Sequence, residues 1–457
     1  MKKISYAIAI IAMTFGLTGC GEKFFEQYPS NNITEGTFYQ TENDFNQGVY
    51  ACYYKLKTQI GWLVNELSYR ADESLLESMA VSTQDRYNLD HFQEHSSTTL
   101  FGDIWDAWYN GIYRCNDVLD HMPSGELSGK MAEYKGECLF LRSWFYFNLY
   151  RTFGVVPVTD HVATPAESKL IPRCTEEEMY NRLYTDLTDA ASMLPESRST
   201  EKGRVCDIAA WTLLGKVQLT FGKYADAQAS LENAMANKNF GLMSTPMGPF
   251  DTANKLNKEI IFAACYDKGV DAGHGYWHSS NTGVEADRIN PTAPFKALFA
   301  AGDARSEMIQ FTKISSSVYA MNKWYDTYDA TYTTIVGNDY PFLRYADVVL
   351  MYAEALAQQG NVSQACSYLN QTRTRAGLTT FTTSDKTAFI QELADERGRE
   401  LCFEGHRWYD LVRLGLAVDY FTSLGYTLDS HNLVMPIPQD QIEIYSNSKI
   451  LWQNPGF

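Results

Sequence analysis

The chain has 457 residues, 45% of them hydrophobic, which is ample for a large core in one or two domains. Its formal charge of −17 argues against nucleic acid, or an anionic membrane surface, as a partner. Aromatic residues make up 14%, and although most belong to a core, the 30 Tyr and 9 Trp are also what a sugar-binding face uses, because flat rings stack on pyranose C–H faces.

At the N-terminus, Lys2 and Lys3 precede an apolar run from Ile4 to Leu17 that only Ser5 and Thr14 weakly interrupt. The run is too short to span a bilayer and reads as a signal peptide over residues 1–19. Leu17-Thr18-Gly19-Cys20 fits a lipoprotein box, in which the Cys20 thiol is acylated and becomes the new N-terminus. No later segment reaches a transmembrane length of apolar residues, so a soluble body on a lipid anchor is expected.

Next comes His91-Phe92-Gln93-Glu94-His95, the HxxEH pattern of inverted zincins. A zinc site needs this pattern on a helix with a third ligand, and the flanks, Asn88-Leu89-Asp90 and Ser96 to Thr99, read as loop. His274 and His278 are weaker candidates, because Gly275 and nearby glycines break any helix. Glu133 to Arg151 reads as an apolar, aromatic helix that Gly154 and Pro157 end. Glu176 to Glu178 follows Thr175 and reads as the acidic first turn of a capped helix rather than as catalytic carboxylates. No GxSxG, Walker or dinucleotide motif occurs.

Trp211, Gly215, Gly222, Ala227, Leu231 and Ala234 share their spacing with Val349, Ala353, Gly360, Ala365, Leu369 and Thr372. This is tetratricopeptide spacing: small residues let two antiparallel helices approach, and the second glycine takes the turn. The two units are not tandem, so large insertions are expected between helix pairs. Residues 237–342 are rich in Gly, Pro, Asn, Thr and aromatics, with short strands expected at Glu259–Tyr266 and Glu307–Lys313.

The stretch ERGRELCFEGHRWYDLVRLG, Glu396 to Gly415, threads eight charges through an apolar helical face. It predicts a helix with Glu404 beside Arg407 and Asp410 beside Arg413, held by a fixed ionic network. Among the nine cysteines there is no CxxC pair; Cys138, Cys366 and Cys402 read as small core residues, and the spacing singles out no disulfide.

The same stretch resembles the C-terminal signature of the SusD/RagB family, of the type ERRRELxFEGxRWxDLxRxG, with Gly398 in place of a usual basic residue. The resemblance runs in order through Trp105-x-x-Trp108-Tyr109, Gly136-Glu137-x-Leu139-Phe140-Leu141-Arg142, Leu343-Arg344-Tyr345-Ala346-Asp347 and Met435-Pro436-Ile437-Pro438. These are scaffold motifs and carry no information on the ligand. The resemblance implies a mostly α-helical body of tetratricopeptide-like pairs, with a loop-rich region and few short strands. It divides into an N-terminal part at 20–236, a variable region at 237–342 and a C-terminal part at 343–457. It also implies a lipid-anchored outer-membrane protein on the cell surface that captures oligosaccharides for nutrient uptake. The partner implied is a SusC-like TonB-dependent transporter; neither catalysis nor a cofactor is.

For ligand contact, polar and aromatic groups outside the scaffold motifs are the candidates. Trp277, Trp324 and Tyr325 are expected as stacking platforms, with Tyr87 beside them, and Arg70, Asp72 and Asn88 as partners for hydroxyls. The rival readings are a peptide or other nutrient ligand on the same scaffold and, in another class, a surface glycosidase or zinc peptidase.

Overall fold

The computed structural model describes residues 38–60, 67–74, 84–267, 278–280, 291–313, 318–324 and 337–457. The chain divides into two units, Met1–Phe45 and Asn46–Phe457. Of the first, residues 38–45 are described, ending in the first turn of the helix Glu42–Ile60. There the Asp44 carboxylate accepts from the Thr41 amide at 2.7 Å, closing the first helical turn.

The small residues of the repeat act as their spacing predicts. Asp207–Thr220 pairs with Tyr224–Ala236, and Tyr345–Gln358 pairs with Val362–Arg375. A Cβ on Gly215 would lie 2.7 Å from Leu231 Cγ, so only glycine allows this approach. Gly222 and Gly360 take the turns, at φ 68° and 90°. The pairs are distant in sequence yet stack directly, with Tyr345–Gln358 against Tyr224–Ala236. The first pair continues the wall begun by Thr99–Asp120, Gly129–Phe153 and Glu176–Met193. Thr175 caps the next helix as expected, in a capping box with Glu178, and Gly154, at φ 73°, ends the aromatic helix.

The intervening region contributes two small antiparallel sheets. Ile260–Ala264 pairs with Tyr340–Arg344, and Val318–Met321 lies between His278–Ser280 and Phe311–Lys313. Both expected strands are present but shorter, and a 3-10 turn at Ala304–Glu307 replaces the start of the second. The architecture is thus mostly α-helical with few short strands.

The signature stretch departs from expectation in one respect. It is not one helix: Lys386–Glu400 stops, and Arg407–Arg413 begins anew. Between them Phe403 is left-handed at φ 59° and Gly405 at φ 72°. Tertiary bonds hold that turn: the Phe403 amide donates to Glu73 at 2.8 Å, and the Tyr340 hydroxyl donates to the Phe403 carbonyl at 3.3 Å. Glu404 and Arg407 are consequently not a pair, whereas Asp410 and Arg413 are, at 2.9 Å.

The expected ionic network is present and buried. Arg344 binds Glu259 at 2.8 Å, Glu400 at 2.8 Å and Glu404 at 2.7 Å, while Arg305 binds Asp303, Glu396 and Glu400. Arg397 joins Asp347 at 2.7 Å to Asp410 at 2.8 Å. Desolvation cancels much of the Coulombic gain of such pairs, so their effect is to fix which elements meet rather than to add large stability. Burial alone would raise the Glu400 carboxyl, but Arg375, Arg344 and Arg305 overcome it and bring the pKa down to about 2.

Candidate functional site: a tyrosine-lined cleft

Three residues expected to meet ligand belong to this interior instead. Arg70 is 1% exposed; its guanidinium donates to Glu94 at 2.6 Å and to the Leu89 and Asn432 carbonyls, and packs over the Phe92 and Trp408 rings. Asp72 is 2% exposed and accepts from Arg407 at 2.9 Å and from the Tyr420 hydroxyl. Trp324 is fully buried, stacked on Tyr340 at 5.4 Å and edge-on to Phe250. Their charge and size are used to join chain segments, which corrects the expectation that they touch ligand.

Tyr87 and Asn88 are half-buried on the short helix Gln84–Asp90, where Tyr87 stacks on His91 at 3.8 Å. Trp277, Tyr325 and Cys20 lie outside the described residues. The HxxEH segment is not helical: the helix stops at Asp90, Phe92 is left-handed at φ 57°, and the Glu94 carboxylate is held by Arg70. Among the described residues, no three His, Cys, Asp or Glu side chains come together to hold a metal ion.

A site that the sequence reading missed lies along the helix Glu42–Ile60. Tyr50, Tyr54 and Lys57 are four and three residues apart, which places them on one helical face. With Arg204, Glu201 and Asp267 they line a cleft of about 840 Å³, within the range of sites for small ligands. Tyr50 is 44% exposed and Tyr54 63%, an unusual state for two large rings on a helix that also buries Cys52 and Leu56.

The floor of the cleft is rigid. Tyr53 donates to Glu137 at 2.7 Å and accepts from the Val205 amide at 3.0 Å. Burial, together with the Glu137 charge, pushes its phenol well above the ordinary tyrosine range, so the hydroxyl stays protonated. Arg204 donates to Glu137 at 2.7 Å and to Glu201 at 3.0 Å, and its guanidinium lies 5.1 Å from the Tyr50 ring centre. Lys57 sits 5.2 Å from the Tyr266 ring. Burial raises the Cys265 thiol to about 12, so it offers no thiolate. Ring faces beside fixed hydroxyl-bonding groups suit a ligand that is apolar on its faces and polar on its edges. The one signal available in the sequence was the choice of Tyr, rather than Phe or Leu, at 50 and 54.

Comparison with known proteins places this geometry in context. Residues 310–457 match the family model described as "SusD family", and residues 28–219 the one described as "Starch-binding associating with outer membrane". The chain is 33% identical to the starch-binding protein SusD of Bacteroides thetaiotaomicron over 76% of each chain. It is 25% identical to SusD-like protein P2 of Formosa agariphila over the whole of both. Among solved structures, a SusD homologue from Bacteroides thetaiotaomicron superposes with a TM-score of 0.79 at 20% identity, covering 93% of this chain and 98% of that one. A surface glycan-binding protein A from the same species, in complex with laminarihexaose, gives 0.74 at 19% identity, covering 90% and 99%. By sequence over three quarters of its length the chain belongs to the SusD family, and it shares the fold of that solved homologue.

Proposed function

We propose that this protein captures oligosaccharides at the cell surface and delivers them to a SusC-like TonB-dependent transporter in the outer membrane, without catalysis. A lipid on Cys20 tethers it there, consistent with the sequence Leu17-Thr18-Gly19-Cys20 behind an apolar leader. Kinship with a starch-binding protein, and a fold shared with a protein that takes laminarihexaose, support the choice of ligand class. The observation that carries the reading is the exposed pair Tyr50 and Tyr54, one turn apart at a cleft of about 840 Å³. In this reading the two rings stack on successive sugar faces while Lys57 and Asp267 hold hydroxyls. Trp277, Tyr325, Tyr87 and Asn88 stay further candidates for ligand contact.

The test is calorimetry with the chain from Gly21 onward against neutral and acidic oligosaccharides and peptides. One glycan class is expected to bind, with affinity falling about tenfold in Tyr54→Ala, since one stacked ring contributes about 1.5 kcal/mol. Loss in Trp277→Ala but not in Tyr54→Ala moves the ligand contact from the cleft to Trp277. A peptide as sole ligand overturns the glycan reading.

A further inference from the structure

A second cavity, of about 320 Å³, opens between the helices Gly129–Phe153, Asp207–Thr220 and Arg407–Arg413. Its lining includes the cations Arg151, Lys216 and Arg413 together with Tyr150, Thr220 and Tyr409. Its cations are not all paired. Lys216 pairs with Asp347 at 2.6 Å, and Arg397 pairs with Asp347 and Asp410. Arg413 pairs with Glu354 and Asp410, each at 2.9 Å. Arg151 has no carboxylate within ion-pair range among the described residues. His406 adds none: burial and the neighbouring Lys216 hold its imidazole well below the ordinary range, so it is neutral. Glu176 also lines the cavity, but it lies exposed at the rim, 3.5 Å from the Tyr150 hydroxyl.

Four cations therefore face four carboxylates around this cavity once Glu176 at the rim is counted, and Arg151 is the one cation of the four with no ion pair among the described residues. Its guanidinium is held between the Tyr409 ring at 4.1 Å and the Phe147 ring at 4.8 Å. One nitrogen, Nη2, donates to Asn148 at 2.5 Å. Buried Nε has no acceptor among the described residues. A buried donor without an acceptor is costly, and a guanidinium held between two rings is suited to a planar anion. Tyr150, Thr220 and Leu433 are only half-buried, so the cavity is reachable from solvent.

We infer that this cavity binds the carboxylate of a single sugar acid. The carboxylate pairs with Arg151, and the ring lies against Tyr150 with a hydroxyl at Thr220. The choice of a sugar acid over another carboxylate rests on the glycan-binding reading above; the anion site itself does not.

The experiment is calorimetry and thermal unfolding of the chain from Gly21 onward with glucuronate, galacturonate, glucose and acetate at constant ionic strength. Both uronates are expected to bind and to raise Tm, glucose and acetate not. Arg151→Met should weaken uronate binding at least tenfold, and Arg151→Lys, which keeps the charge but not the fork, should weaken it as well. Circular dichroism and a Tm close to that of the parent establish that these variants fold. Neutral-glycan binding, measured on the same variants and on Tyr54→Ala, separates failure of this site from failure of the cleft. Silence of both uronates at millimolar concentration, unchanged binding in Arg151→Met, or acetate binding as tightly as uronate would each overturn the assignment.

Discussion

Arg407 clasps Asp72 with two parallel bonds, Nε to Oδ1 at 2.9 Å and Nη2 to Oδ2 at 3.2 Å, across 335 residues of chain. Both groups are buried, at 2% exposure each. Removing either leaves the other charged and unpaired in the interior. Arg407→Met is expected to destabilise the fold by about 3–5 kcal/mol, read from urea unfolding. Adding Asp72→Asn to it should cost much less than the sum of the two single changes, because the stranded charge is then gone. Additive losses would mean that the two residues do not act as a pair.

Glu73, the next residue, has the opposite electrostatic character. Burial pushes its carboxyl up to about 8, Asp72 adds to this, and the Phe403 amide opposes it. With a folded pKa above the unfolded one, its favourable contribution is complete below about pH 4.5 and is lost as pH rises through about 8. Glu73→Gln, an isostere of the protonated form, should therefore gain stability relative to the parent between pH 5 and 8, by a few kcal/mol at most. A stability difference that stays flat with pH would sink this assignment.

Glu400 titrates at the other end of the scale. Its pKa of about 2, set by three arginines against the effect of burial, lies below the unfolded value of 4.5. Its contribution is present above about pH 4.5 and disappears as pH falls toward 2. Between these limits Glu400→Gln should flatten the acid limb of the stability profile while lowering stability at neutral pH by about 3 kcal/mol or more.

Packing of the first helix pair depends on the missing side chain at Gly215. Gly215→Ala puts a methyl 2.7 Å from Leu231 Cγ, and about 1–3 kcal/mol of destabilisation is expected in chemical unfolding. Leu231→Ala in the same chain removes the clashing atom, so the double variant should lose less than the sum of the singles. If Gly215→Ala is neutral, the two helices can separate more freely than their contact implies.

The helix pairs were legible because a small residue at a close approach has a local, periodic signature, as at Gly215, Gly222 and Gly360. The break at Leu401–His406 was not. Only Gly405 hints at it, and the left-handed Phe403 is held by Glu73 and Tyr340, partners remote in sequence. The same remoteness hid the roles of Arg70 and Asp72. A charged residue in a polar, aromatic neighbourhood reads as a ligand contact until its buried counter-ion is located, and Glu94 and Arg407 supply those counter-ions. Tyr50 and Tyr54 escaped notice for the converse reason: an aromatic pair at helical spacing usually points into a core, and here it points out.

The clasp between Arg407 and Asp72 also bears on how the molecule is made. At translation rates of about 5–20 residues per second, Asp72 leaves the ribosome on the order of tens of seconds before Arg407 exists to meet it. The same delay separates Glu73 from the Phe403 amide, 330 residues later. Throughout that interval Asp72 has no native partner, and the apolar surfaces meant to enclose it cannot close without stranding a charge. The chain is thus kept from settling early, and the signature near its end serves as the latch that only a complete polypeptide can fasten.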